Sequence, residues 1–176
     1  TVGYLGDAAN NVGAALAGAM PAAGGLNARQ MIEQPLRAYL LLNLEPSLDC
    51  GFPAQATTAL GKAATVIALT AFRSPELLAQ ADCLLPVAPF TETSGTFVNC
   101  EGRAQSFNGV VKPAGDARPA WKVLRVLGNL LGLQGFDQEN SEQVRDAVLA
   151  GDWSSRLSNE LKPAPAAATQ AGASFD

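Results

Sequence analysis

The chain has 176 residues, enough for one domain with a core of its own. A net charge of −4 and a pI near 4.8 argue against nucleic acid as a partner. The absence of histidine removes imidazole bases, imidazole metal ligands and histidine-paired nucleophiles. With 48% hydrophobic and 16% charged residues, the chain is expected to bury surface against partners as well as in its own core.

Val2 to Leu5 reads as a possible strand. Ala8 to Ala28 carries no charge, but it is mostly Ala and Gly, with Pro21 and few large apolar side chains. A membrane-spanning helix needs roughly 20 predominantly apolar residues, so no span is assigned. No basic region precedes an apolar one, so this stretch is not expected to be a secretory signal. Helices are expected near Val12 to Met20 and Ala28 to Gln34. Ala38 to Leu44 is a short apolar run closed by the turn Glu45-Pro46-Ser47. Pro53 to Lys62 reads as a helix, with proline in its first turn and Gly61 at its end. Thr65 to Phe72 is a second apolar, β-branched run. Ser74-Pro75-Glu76 combines a capping hydroxyl, a first-turn proline and an acid facing the helix dipole. That helix ends near Ala81 or Asp82, and Cys83 to Val87 is the third apolar run.

Strand, helix, strand, helix, strand in about 50 residues predicts an α/β fold with a parallel sheet built from right-handed crossovers. The strands are continuously apolar, as when helices cover both sheet faces. Pro119 to Leu131 gives the strongest helix. Its apolar arc includes Trp121, Leu124 and Leu127, and Lys122, Arg125 and Asn129 share a narrow wedge. A deeply packed helix with one solvated or partner-facing stripe is expected. Ser141 to Ala150 forms another helix, capped by Asn140 with Gln143 three residues on and closed by Gly151. Residues 1–150 are taken as one domain. Residues 151–176 are taken as a flexible tail, because KPAPAAATQAGAS cannot bury enough apolar surface to offset chain entropy.

Several motifs fail. Gly61-Lys62 lacks both the earlier glycine and the following hydroxyl of a P-loop. No G-x-G-x-x-G follows a strand. Thr93-Ser94-Gly95 lacks the first glycine of a nucleophile elbow. Glu92 and Glu101 carry no distance information as a carboxylate pair. Cys50, Cys83 and Cys100 contain no C-x-x-C, do not make a four-thiolate site, and read as three buried reduced cysteines of a cytosolic protein. No catalytic and no metal-binding residue is assigned. In an open parallel sheet, ligands bind beyond the carboxyl ends of the strands. Those ends are Asn43 to Ser47, Phe72 to Ser74 and Pro86 to Gly95. Their hydroxyls, amides, Arg73 and glycine turn suit either a nucleotide-like cofactor or ordinary caps and turns. The basic region Arg103, Lys112, Arg118, Lys122 and Arg125, followed by Asp137, Glu139, Glu142 and Asp146, suits either a docking surface or two solvated faces.

ADCLLPVAPFTETSGTFVNCEGRAQ, at Ala81 to Gln105, resembles the molybdopterin oxidoreductases and the related large iron–sulfur subunit of respiratory NADH:quinone oxidoreductases. AANNVGAALAGAMP, AYLLLNLEPSLD and VVKPAGDARPAWKVLRVLGNLLG extend the resemblance over roughly residues 1 to 150. It implies a Rossmann-like parallel sheet with flanking helices, the third domain of the superfamily, which in active members contacts half of a bis-pterin guanine dinucleotide. FTETSGTFVNCEGRAQSFNGVVKP is similar to the respiratory subunit, which keeps the fold without the pterin. That implies a non-catalytic part of a longer subunit, supporting electron transfer from NADH to quinone by the whole complex. Its partners would be the N-terminal domains of its own chain and other subunits of the peripheral arm. It would lie on the cytoplasmic side of the bacterial inner membrane, without membrane insertion. No cofactor is expected here, and the iron–sulfur clusters would lie in an N-terminal part. The remnant cleft would comprise Asn43, Glu45, Ser47, Arg73, Thr91, Glu92, Ser94, Gly95 and Asn99. The alternatives are a pterin-guanine-dinucleotide-binding domain of a formate-dehydrogenase-like molybdoenzyme and a stand-alone nucleotide-binding module.

Overall fold

The computed structural model describes residues 6, 8–158 and 160. The expected strand at Val2 to Leu5 and most of the expected tail lie outside the described residues. Strands β1 (Ala38–Leu42), β2 (Thr65–Thr70) and β3 (Cys83–Pro86) form a parallel sheet in the order β1-β2-β3. Leu40 pairs with Ile67, and Leu69 pairs with Leu85. The apolar runs specify these strands, and the helices between them carry legible ends. Helix α4 (Pro53–Leu60) starts on proline and ends at Gly61. Helix α5 (Pro75–Gln80) is capped by Ser74, whose hydroxyl accepts the Leu77 N–H.

Among the described residues the sheet is fully covered on one face and only partly on the other, where its apolar strands lead one to expect cover on both. Leu60 of α4 and Leu77 of α5 pack with Leu41, Val66 and Ala68 in one core. In this register those strand residues share a face. Two right-handed crossovers running in the same direction across a sheet put both helices on the same side. On the other face Leu69 is buried, but Leu40 and Leu42 remain 50% and 46% exposed.

Two short helices precede the sheet, α1 (Asn11–Leu16) and α2 (Ala28–Glu33). The former stops well short of Met20. Asn27 and Gln30 form a reciprocal cap on α2. The Tyr39 hydroxyl pins α2 to β1, donating to the Met31 carbonyl at 2.7 Å and accepting the Leu36 N–H at 2.9 Å. A four-residue helix, α3 (Pro46–Asp49), stands where a simple turn is expected.

The polar string after β3 folds into an antiparallel hairpin of β4 (Gly95–Val98) and β5 (Ala104–Phe107), which the sequence reading treats as loop. Its core strand residues are too few to register as an apolar run. Asn10 at the start of α1 accepts the Val98 N–H at 2.8 Å, so the hairpin anchors the N-terminal helix.

Helix α6 (Ala120–Leu130) is where expected but is not deeply packed. Of its residues Gly128 alone is buried, and Leu130 is 79% exposed. The polar wedge is partly an internal clamp: Arg125 donates to the Gln138 carbonyl and Asn129 to the Phe136 carbonyl. These bonds hold the following loop, whose Phe136 ring lies against Gly128. Helix α7 (Ser141–Val148) is capped by Asn140, which accepts the Gln143 N–H. Beyond it, Trp153–Arg156 makes a single 3-10 turn. The Arg156 guanidinium there donates to the carbonyls of Leu16 and Val148, joining the ends of α1 and α7. Among the described residues, no helix is long and apolar enough to cross a membrane.

Candidate functional site

The three strands point their carboxyl ends at one edge, where the β1–α3, β2–α5 and β3–β4 loops emerge. Asn43 leaves β1 in a left-handed conformation (φ 48°), which asparagine tolerates better than most residues. Its N–H donates to the Leu69 carbonyl at 2.8 Å, extending the β1–β2 ladder. The Glu45 N–H donates to the Asp49 carboxylate at 2.7 Å. The Ser47 N–H donates to the Glu76 carboxylate at 3.1 Å, and the Thr57 hydroxyl donates to its other oxygen at 3.0 Å. One acid on α5 therefore clasps the loop after β1 and the body of α4.

Glu76 stands in the first turn of α5 as expected, but it has a second role at this edge that the sequence does not show. Its position two residues past the capping serine explains it fully as a dipole-facing acid, and nothing local signals its partners 29 and 19 residues away. Hydrogen bonding from the Ser47 side chain holds the Glu76 carboxyl below its ordinary range. Partial burial works against that, and the Ser47 N–H and Thr57 hydroxyl add to it. The neighbouring Cys50 thiol is pushed up, first by burial and then by the negative charges of Asp49 and Glu76.

The remaining candidates divide. Arg73 is exposed beside the β2 exit. Thr91 and Glu92 hold the loop that follows the hairpin: the Thr91 carbonyl accepts the Val110 N–H at 2.8 Å, and the Glu92 carboxylate accepts the Ala114 N–H at 2.9 Å. Asn99 closes the hairpin turn, its side-chain oxygen accepting the N–H groups of Glu101 and Arg103. Ser94 donates to the Ser141 hydroxyl at 2.7 Å, tying the hairpin to α7. Ser94 and Gly95 line a cavity of about 220 Å³ with Trp121 and Arg145, separate from the loops of Asn43, Ser47 and Arg73. Trp121 is half-buried there, and its indole N–H is buried without an acceptor. The candidates thus share a region of the fold without converging on one point.

Gly95 does not need a left-handed backbone, as its place in a sharp turn suggests. It is a strand residue, and a Cβ there would lie 2.7 Å from the tip of the Phe107 ring. The cysteines also depart from expectation: Cys83 and Cys100 are exposed and Cys50 is half-buried. Chemically, the exit of β1 has the Asn43, Glu45 and Ser47 N–H groups taken by a sheet carbonyl and two carboxylates, while Arg73 stays exposed at the exit of β2.

The family model for molybdopterin oxidoreductase matches residues 2–130. Two relatives, from Staphylococcus aureus strains USA300 and COL and provisionally named as formate dehydrogenases, are each 35% identical over 68 residues. That stretch is 39% of this chain, and it spans only 7% of the length of each relative. With most of its length matched by that model, the chain belongs to the molybdopterin oxidoreductase family.

Proposed function

We propose that this chain is a non-catalytic scaffolding part of the large iron–sulfur subunit of a bacterial NADH:quinone oxidoreductase. Residues 1–150 form its Rossmann-like domain, and the segment to Arg156 folds back on it through the Leu16 and Val148 carbonyls. It packs in the peripheral arm on the cytoplasmic side of the membrane, against the cluster-bearing part of its subunit and neighbouring subunits. It holds no cofactor of its own.

The observation that carries this reading is the occupation of the sheet edge by the chain's own acids. A pterin guanine dinucleotide carries a diphosphate, and diphosphates are held by free backbone N–H groups and cations. Here the Asn43, Glu45 and Ser47 N–H groups are donated internally. Two of their acceptors are the carboxylates of Asp49 and Glu76, which would repel an incoming anion. Glu92 takes a further N–H on the third loop. The Asn43, Glu45 and Ser47 donors are not free for a diphosphate, which supports the reading, and no chemistry is routed through one.

The test uses the whole subunit in its complex. Metal analysis with oxidative pterin fluorescence is expected to find iron without molybdenum, tungsten or pterin. Stoichiometric pterin would overturn the reading. A second reading, a pterin-binding domain of a formate-dehydrogenase-like enzyme, is favoured by the similarity to the two staphylococcal proteins. The same measurement decides between them.

A further inference from the structure

Strand β1 stands at one end of the parallel sheet and, among the described residues, pairs with β2 alone. The opposite end is extended, because Val87, just past β3, bridges Arg118 in parallel. The direction of each backbone group of β1 follows from its ladder. The Arg37 carbonyl accepts the Thr65 N–H at 3.2 Å, and the Asn43 N–H donates to the Leu69 carbonyl at 2.8 Å. Residues that bond one neighbouring strand alternate along a parallel pair, so the odd-numbered residues of β1 face β2. Ala38, Leu40 and Leu42 turn their N–H and C=O groups to the outer side. Among the described residues no hydrogen-bond partner meets them there.

Folded proteins normally blunt such a strand edge with charge, proline or a bulge. Ala38–Leu42 reads AYLLL, and its register with β2 runs without interruption, so it carries none of the three. Its surroundings are apolar on both faces. Leu40 and Leu42 are exposed on the face away from the core of Leu41, Leu60 and Leu77. A groove of about 520 Å³, walled by Met31, Ile32, Leu44, Cys50 and Phe52, has Tyr39 to Leu42 in its lining. Successive strand residues point to opposite faces, so a groove touching all four runs along the outer side of β1.

We infer that the outer side of β1 receives an extended, apolar segment of a partner polypeptide, which adds to the sheet as a further strand. The unmet groups set the chemistry of the occupant. N–H and C=O groups on every second residue match another extended backbone, and neither a helix nor a lipid chain offers that row. Apolar surroundings on both faces require a segment that is apolar at consecutive positions rather than alternating. β1 lies recessed between the walls of the groove, so a second copy, whose β1 is equally recessed, reaches it less readily than a free segment does. The inference goes beyond the scaffold reading and does not depend on it, because β1 keeps this side open whatever the carboxyl ends of the strands hold.

The test uses the intact chain and a fluorescein-labelled nine-residue peptide, Lys-Thr-Val-Ile-Val-Leu-Val-Thr-Lys. In an analogue the central amides are replaced by esters, which removes N–H donors and keeps the side chains. The peptide is expected to bind by fluorescence anisotropy and to slow amide hydrogen exchange at Leu40 and Leu42. The ester analogue should bind at least tenfold more weakly. Leu40→Pro should abolish binding with little change in melting temperature, since proline is tolerated where a strand N–H faces away from its sheet. Leu42→Lys, which sets a charge on the exposed face, should weaken binding at least tenfold and covers the case in which proline unfolds the strand. Equal binding of peptide and ester, slowed exchange confined to another strand, or indifference to both variants would overturn the inference. So would a concentration-dependent dimer that Leu40→Pro dissolves, which would give the site to a second copy, or tighter binding of an amphipathic helical peptide of matched hydrophobicity.

Discussion

Glu76→Gln tests the clasp at the carboxyl edge of the sheet. The native carboxylate accepts from the Ser47 N–H at 3.1 Å and the Thr57 hydroxyl at 3.0 Å. A hydrogen bond to a charged group contributes about 1.5–3 kcal/mol when well shielded. Glu76 is only partly buried, so solvent screening reduces that figure, and glutamine keeps one acceptor oxygen. A net loss of about 1–2 kcal/mol is expected. For a chain of this size it corresponds to a fall in Tm of about 2–8 °C. The dependence on pH separates this cause from a packing defect. Because the folded-state pKa is depressed, the carboxylate's contribution is fully present above the ordinary value of 4.5. It is lost as pH falls from there through the lower folded value. The difference in Tm between wild type and Glu76→Gln, measured by circular dichroism, should be largest near pH 7. It should shrink as the pH approaches 3. A difference that stays constant over that range, or none at pH 7, would refute the clasp.

Cys50 should react with a disulfide reagent at pH 8 more slowly than the exposed Cys83 and Cys100, because burial and the charges of Asp49 and Glu76 suppress its thiolate; Glu76→Gln should accelerate it, and stopped-flow rates on single-cysteine variants give the comparison. Gly95→Ala should destabilise by about 1–3 kcal/mol through overpacking against the Phe107 ring. A Phe107→Leu background should recover part of that loss, and additive denaturant midpoints would count against the contact. Gly128→Ala should likewise destabilise, although alanine favours a helix by about 1 kcal/mol, since its Cβ would overlap the Phe136 ring; a raised Tm would mean that the ring moves aside freely.

The parts of the fold legible in the sequence are those whose causes are local. Continuous apolar runs mark β1, β2 and β3, and Ser74-Pro75 marks the start of α5 to the residue. Asn140 and Gln143 likewise fix the start of α7. What escapes depends on distant partners. The wide apolar arc of α6 states which side chains would gain from burial but not whether neighbours exist to bury them, and Leu130 stays in solvent. The β4–β5 hairpin is held by short strands, an asparagine turn and an aromatic contact between Phe97 and Phe107, none of which produces periodicity. Glu76 is the clearest case, since its local role as a first-turn acid conceals its long-range one.

These two kinds of information bear differently on membership and on chemistry. The β1-β2-β3 register and its crossovers follow from apolar patterning, which tolerates exchange among Leu, Ile, Val and Ala as long as the core near Leu41, Val66 and Leu77 stays filled. Family resemblance over residues 2–130 needs little more than that pattern and the turns that punctuate it. The chemistry of the edge, by contrast, turns on a few side chains. A loop whose N–H groups are taken by Asp49 and Glu76 offers an incoming ligand fewer donors than a free one, with no demand on the strands behind it. A 35% identity over 68 residues to the staphylococcal proteins therefore carries the scaffold far more securely than the ligand. The two properties separate at the carboxylates, and the edge of the sheet, rather than its core, is where function within this fold has to be read.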